Sequence, residues 1–181
     1  MKPAALCSVV ASVLTAQIAL AHPHFSKTVT AKLPSGAEAT ITYNTTPANE
    51  ARAAGVAIGT FVTPRRPMLK LSADLKFGET TVPAGDYTIG VVKNSEKDWT
   101  MALYPGALPR EGTPDIAKTI KLESLFSSDR GIAEHMLIDI TPGAGKLEGR
   151  AVLTLHFGNL FLAGALSAPE PAPAAAPAPA R

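Results

Sequence analysis

Hydrophobicity in this chain alternates with a period of two over long stretches, and that rhythm constrains the fold more than any other feature. Successive side chains of a β-strand point to opposite faces, so alternation describes a strand with one buried and one solvated side. Leu69, Leu71, Ala73, Leu75 and Phe77 alternate with Lys70, Ser72, Asp74 and Lys76, which predicts a single strand over 69–77. Gly78-Glu79 offers a turn. After Pro83-Ala84-Gly85, a second strand sets Tyr87, Ile89 and Val91 against Asp86, Thr88 and Gly90. Asn94-Ser95-Glu96-Lys97 reads as the next turn, and Trp99, Met101 and Leu103 form a third apolar face. Three strands joined by short turns predict an antiparallel meander.

The same pattern recurs on both sides of this meander. Phe25–Leu33 and Ala37–Asn44 flank Pro34-Ser35-Gly36 as a hairpin, and 119–125 reads as a further strand. Met136, Ile138 and Ile140 alternate with His135 and Asp139 up to the Pro142-Gly143-Ala144-Gly145 turn. Ala151, Leu153, Leu155 and Phe157 then alternate with Val152, Thr154 and His156, and Gly158-Asn159 closes a hairpin onto 160–166. One short helix is predicted over 48–54, with Thr46 as its cap, Pro47 in its first turn and Gly55 at its end. The expectation is an all-β fold of eight to nine short strands, an antiparallel β-sandwich or a partly closed barrel, with at most one short helix.

The two ends of the chain differ from this body. Met1-Lys2 precedes an apolar run from Ala4 to Leu20 that ends in Ala19-Leu20-Ala21, the small-x-small pattern of a signal-peptide cleavage site. The run is too short for a stop-transfer helix, so no transmembrane segment is expected after its removal. A lipoprotein signal fits poorly, because Leu6 stands before Cys7 and most of the apolar run follows it. Residues 1–21 are therefore expected to be a leader, 22–166 a single domain and 167–181 a disordered Ala/Pro-rich tail. A periplasmic or extracellular location follows.

Composition then excludes function classes. Cleavage removes Cys7, the only cysteine, and with it thiolate nucleophiles, iron–sulfur clusters and cysteine zinc sites. It also removes Lys2, lowering the formal charge from +2 to +1, so nothing gathers nucleic acid. No Gly-x-Ser-x-Gly elbow, P-loop or dinucleotide glycine fingerprint is present. The carboxylates, such as Asp115, Glu123, Asp129 and Asp139, show no spacing that marks an acid/base pair.

The run Leu71-Ser72-Ala73-Asp74-Leu75-Lys76-Phe77-Gly78-Glu79-Thr80-Thr81-Val82-Pro83-Ala84-Gly85-Asp86-Tyr87-Thr88-Ile89, followed by Asp98-Trp99-Thr100-Met101, resembles a bacterial exported family. That family is the one known as domain of unknown function 2911, whose members carry a Pro-Ala-Gly-x-Tyr turn-strand and then a Glu/Asp-Trp-Thr strand. The resemblance covers about 68–103. It departs where longer members carry Trp-Arg-Thr-Gly-Ala-Asn-Glu before the first of these strands and this chain has Phe61-Val62-Thr63-Pro64-Arg65-Arg66-Pro67. It implies a secreted β-domain and transfers no activity. Folding alone gives the motif a rationale: Pro83 fits the start of a strand, Gly85 allows a turn, and Tyr87 and Trp99 open apolar faces.

Cleavage after Ala21 would expose His22-Pro23-His24. An amino-terminal histidine binds copper through its amine and ring nitrogen, and a second histidine completes a brace. His22 and His24 are the candidate ligands, with His135 or His156 as a third; the competing reading makes them ordinary polar residues. Pro23 lacks the amide hydrogen that the amino-terminal copper motif with histidine third would need. No cofactor is required by any other feature. Arg65-Arg66, between two prolines, reads as a solvated loop tip, with contact to an anionic ligand as the alternative. The sequence thus favours a non-enzymatic module that binds an unidentified ligand or an envelope component. Copper binding at His22 and an uncharacterised hydrolase are the alternatives.

Overall fold

Two antiparallel sheets face one another across a single core. The computed structural model describes residues 25–109 and 114–169; the leader, His22, His24 and most of the Ala/Pro tail lie outside the described residues. The chain opens with the expected hairpin of β1 (Ser26–Lys32) and β2 (Glu38–Asn44), paired from Ser26↔Asn44 to Lys32↔Glu38. A short helix α1 (Glu50–Ala54) follows, then β3 (Phe61–Val62), β4 (Met68–Leu71), β5 (Leu75–Phe77) and β6 (Thr80–Val82). The long strands β7 (Gly85–Ser95) and β8 (Asp98–Pro105) form a hairpin, and short β9 (Ile120–Lys121) and β10 (Leu125–Ser127) come next. The chain ends in β11 (Ala133–Pro142), β12 (Ala151–Gly158) and β13 (Leu160–Ser167).

One sheet runs β1-β2-β4-β7-β8-β9, with β3 also paired to β7. The other runs β11-β12-β13-β5-β6, with β10 also paired to β13. The architecture is an all-β sandwich with open edges. Inward residues of both sheets meet in one cluster that includes Ile41, Leu69, Phe77, Ile89, Met101, Met136, Ile138 and Leu153.

Several sequence expectations are corrected. The predicted strand over 69–77 is two strands in two different sheets: β4 pairs with β2 and β7, and β5 pairs with β6 and β13. Ser72, Ala73 and Asp74 form a corner between the sheets. Alternation runs unbroken through it because Leu69, Leu71, Leu75 and Phe77 all point into the same core. The chain then returns at Pro83-Ala84, so β4 and β7 with β5 and β6 make a bent hairpin whose tip belongs to the second sheet. The predicted strand over 119–125 likewise splits into β9 and β10, one in each sheet. These crossings and the two-residue β3 raise the strand number from the expected eight or nine to thirteen among the described residues.

Helix α1 begins later than predicted. Its cap is Asn49, whose Oδ1 accepts from the Arg52 amide at 2.8 Å, rather than Thr46. Thr46 and Ala48 are taken by β11 instead: the Met136 amide donates to the Thr46 carbonyl, and the Ala48 amide to the Glu134 carbonyl. Among the described residues no helix is long and apolar enough to cross a membrane.

The β7–β8 hairpin is buried on both faces, which plain alternation does not describe. Its outer face is covered by Phe61 and Leu108, which cluster with Val92, Ala102 and Tyr104. Gly90 is required beneath β3, because a Cβ there would collide with the Phe61 ring and the Val62 carbonyl.

Candidate functional site

The core does not close at one end of the sandwich. A groove of about 620 Å³ opens there between α1, the segment around β3, the β7–β8 hairpin and the β12–β13 hairpin. Its floor is core: Val91 and Trp99 from the first sheet, Leu155 and Leu162 from the second. Half-buried Val56, Val62, Phe157 and Leu160 extend that apolar wall outward. Arg52, Arg65 and Arg66 stand among its lining residues, and no Asp or Glu does among the described ones. The size and apolar character suit a small organic molecule, with a few polar groups to orient it.

One wall is held by a lysine. Lys93 follows Tyr87, Ile89 and Val91 on the inward face of β7, where the alternation calls for an apolar residue, and is only 1% exposed. Its Nζ donates to the carbonyls of Ala54 at 2.9 Å and Val56 at 3.0 Å, and to Glu96 Oε2 at 2.8 Å. The ammonium also sits 5.9 Å from the centre of the Trp99 ring. The end of α1 and the residues after it are thus tied to β7. A buried ammonium is tolerated because its hydrogen bonds and its ion pair with Glu96 are satisfied together.

The lip of the groove is a loop thrown out of the sheet. Val62 pairs with Val91 and Met68 with Thr88, so the facing chain takes six steps where β7 takes three. Three residues are therefore looped out. Both ends of the loop are fastened to Ile89: the Thr63 hydroxyl donates to its carbonyl at 2.6 Å, and its amide donates to the Pro67 carbonyl at 2.8 Å. Between these ties Arg65 and Arg66 take φ of +57° and +49°. Non-glycine residues in the left-handed region cost about 1–3 kcal/mol each, and such strain clusters at ligand clamps and switches. Arg66 Nη2 donates to the Pro109 carbonyl at 3.3 Å, joining this lip to the far side of the mouth.

The sequence-predicted ligands lie elsewhere. His156 is half-buried on β12, its Nε2 3.3 Å from the Gly131 carbonyl and its ring edge-on to Phe161 at 5.4 Å. His135 lies on β11 within a register irregularity, beside Pro47. The two strands pair, yet no group of three or more His, Cys, Asp or Glu is gathered as metal ligands would be among the described residues. His22 and His24 lie outside them.

Three of the carboxylates noted in the sequence, Asp115, Asp129 and Asp139, serve their own neighbourhoods. Asp115 accepts from the Ala117 amide at 3.0 Å at the start of a 3-10 turn, and Asp139 accepts from the Ile140 amide at 2.8 Å. The Ser127 hydroxyl donates to Asp129 and, with the Asp129 amide, holds that carboxyl below its ordinary value.

Sequence reasoning noted Arg65-Arg66 as a basic loop tip but missed Arg52, Lys93 and the groove itself. Lys93 carried a signal, a cation at an inward position of an apolar strand. The groove carried none, because its walls come from segments spread over 46–162.

Fold and site define an open antiparallel β-sandwich with an apolar, arginine-lipped groove at one end. Comparison with known proteins adds no relative to that description: no family model, no curated protein and no solved structure matches the chain.

Proposed function

We propose that the protein is an exported binding module that holds a small apolar molecule in the groove at the end of the sandwich. The observation that carries this reading is a cavity of about 620 Å³ whose floor is the hydrophobic core itself. Core residues such as Trp99 and Leu155 lie within reach of a ligand there. The Ala4–Leu20 leader pattern and the resemblance to an exported domain family support a periplasmic or extracellular place of work.

Trp99 is the only tryptophan and lines the groove, so its emission is a built-in reporter. Titration with the uncharged dye N-phenyl-1-naphthylamine should show saturable 1:1 binding and a change in Trp99 emission. Val62→Phe, which fills the mouth, should weaken binding at least about tenfold while leaving the circular-dichroism spectrum unchanged. Absence of saturable binding, or equal affinity in the filled variant, contradicts the reading.

A further inference from the structure

The groove's lip and its floor differ in chemistry, and together they specify an occupant. We propose that the groove takes a free single-chain carboxylate, with the alkyl chain against Trp99, Leu155 and Leu162 and the carboxylate at Arg52 and Arg66. This inference rests on the reading of the groove as a binding site and names its ligand class.

Charge complementarity points to an anion. Arg52 and Arg66 approach the mouth from separate elements, α1 and the looped-out segment, and no carboxylate among the described lining residues neutralises them there. The nearby acid Glu50 is engaged on the far hairpin, where its Oε1 accepts from the Asn159 amide at 3.1 Å. A planar guanidinium donates two parallel hydrogen bonds to a carboxylate, and such charge-assisted pairs are about twice as strong as neutral ones. The loop geometry agrees: two ties to Ile89 hold Arg65 and Arg66 at the lip of the groove.

The occupant is a dispersed molecule rather than a membrane surface. A bilayer needs convex apolar side chains beside the cationic ones, as on interfacial helices. Here the large exposed apolar residues Phe25, Ile58, Ile116, Leu125, Ile132 and Leu137 are not among those lining the groove, whose rim carries Pro64, Pro109 and Pro114.

The test uses the full chain at pH 8, read by calorimetry and Trp99 emission, with four probes: decanoate, decan-1-ol, decyltrimethylammonium and phosphatidylglycerol vesicles. Decanoate should bind at least about tenfold more tightly than decan-1-ol and decyltrimethylammonium, and added salt should narrow that margin. Arg52→Gln with Arg66→Gln should erase the preference for decanoate while keeping the affinity for decan-1-ol and the unfolding midpoint. Equal binding of all three chains, or a preference that survives the double variant, overturns the head-group assignment and leaves the groove reading standing. Binding of none of the three overturns both. Binding to vesicles without competition from decanoate assigns the arginines to a membrane and overturns the proposal.

Discussion

Two places in this molecule break a strand, and they do so in opposite ways. At Ser72–Asp74 the chain steps from one sheet to the other, and the exposed polar side chains accept from neighbouring backbone amides. Ser72 Oγ accepts from the Glu38 amide at 2.7 Å, and Asp74 Oδ1 accepts from the Ala84 amide at 2.8 Å, joining the outgoing and returning corners. At Thr63–Pro67 the chain stays in one sheet but throws three residues out of it. That loop ties its ends to Ile89 and leaves two arginines in the left-handed region at the lip of a groove. The first break completes the core; the second adds strain and offers charge to solvent. The two breaks thus differ in what their side chains do: at the corner they accept from backbone amides, and at the loop they set two guanidinium groups at the lip of the groove.

Substitutions should separate the two. Phe77 is fully buried where β5 leaves the first corner, so Phe77→Ala should lower unfolding free energy by about 3–5 kcal/mol in a urea titration. Lys93 fastens the groove wall to β7. Lys93→Met orphans the Ala54 and Val56 carbonyls and should cost about 3 kcal/mol, with a red shift of Trp99 emission as the wall loosens. Asp74→Ala removes a single exposed hydrogen bond and should cost about 1 kcal/mol, with no change in decanoate affinity. Arg66→Gly should do the reverse: relief of the strain at its positive φ offsets the exposed bond to Pro109, so stability changes by no more than about 1 kcal/mol, and carboxylate binding weakens. If Asp74→Ala impairs binding as much as Arg66→Gly does, the contrast between the breaks fails.

A pH titration sharpens the contrast from the stability side. Tyr87 donates to the Pro83 carbonyl at 2.8 Å within the returning corner. Burial, and secondarily the Asp74 carboxylate, push its phenol above the ordinary tyrosine value. Folding therefore favours the neutral phenol. Its contribution is complete below the unfolded value of about 10 and is lost as pH rises through the folded one. Alkaline destabilisation that is unchanged in Tyr87→Phe contradicts this assignment.

Most of the fold was legible in the sequence because most of the longer strands bury one face in the same core. Strands β1, β2, β7, β8, β11, β12 and β13, with the Gly158-Asn159 turn, follow directly from alternation and turn residues. The same logic hid the corners. A strand that bends from one sheet to the facing one keeps its inward residues in phase, so Leu71, Ala73 and Leu75 carry no mark of the switch. The late start of α1 was hidden because Thr46 and Asn49 are both good caps, and pairing with β11 decides between them. Double burial of β7 and β8 had a faint sign in the unbroken run 101–104. Of the site, only the basic tip could be seen. Which walls it faces depends on pairings between residues about a hundred positions apart.

The most direct test is an amide chemical-shift map of the isotopically labelled chain titrated with decanoate. The account predicts that the largest shifts cluster at Arg52, Val56, Val62, Arg66, Trp99, Leu155 and Leu162, and that the Ser72–Asp74 corner stays still. Shifts centred on the outer face around Leu125 and Val152, or spread evenly over both sheets, would contradict it.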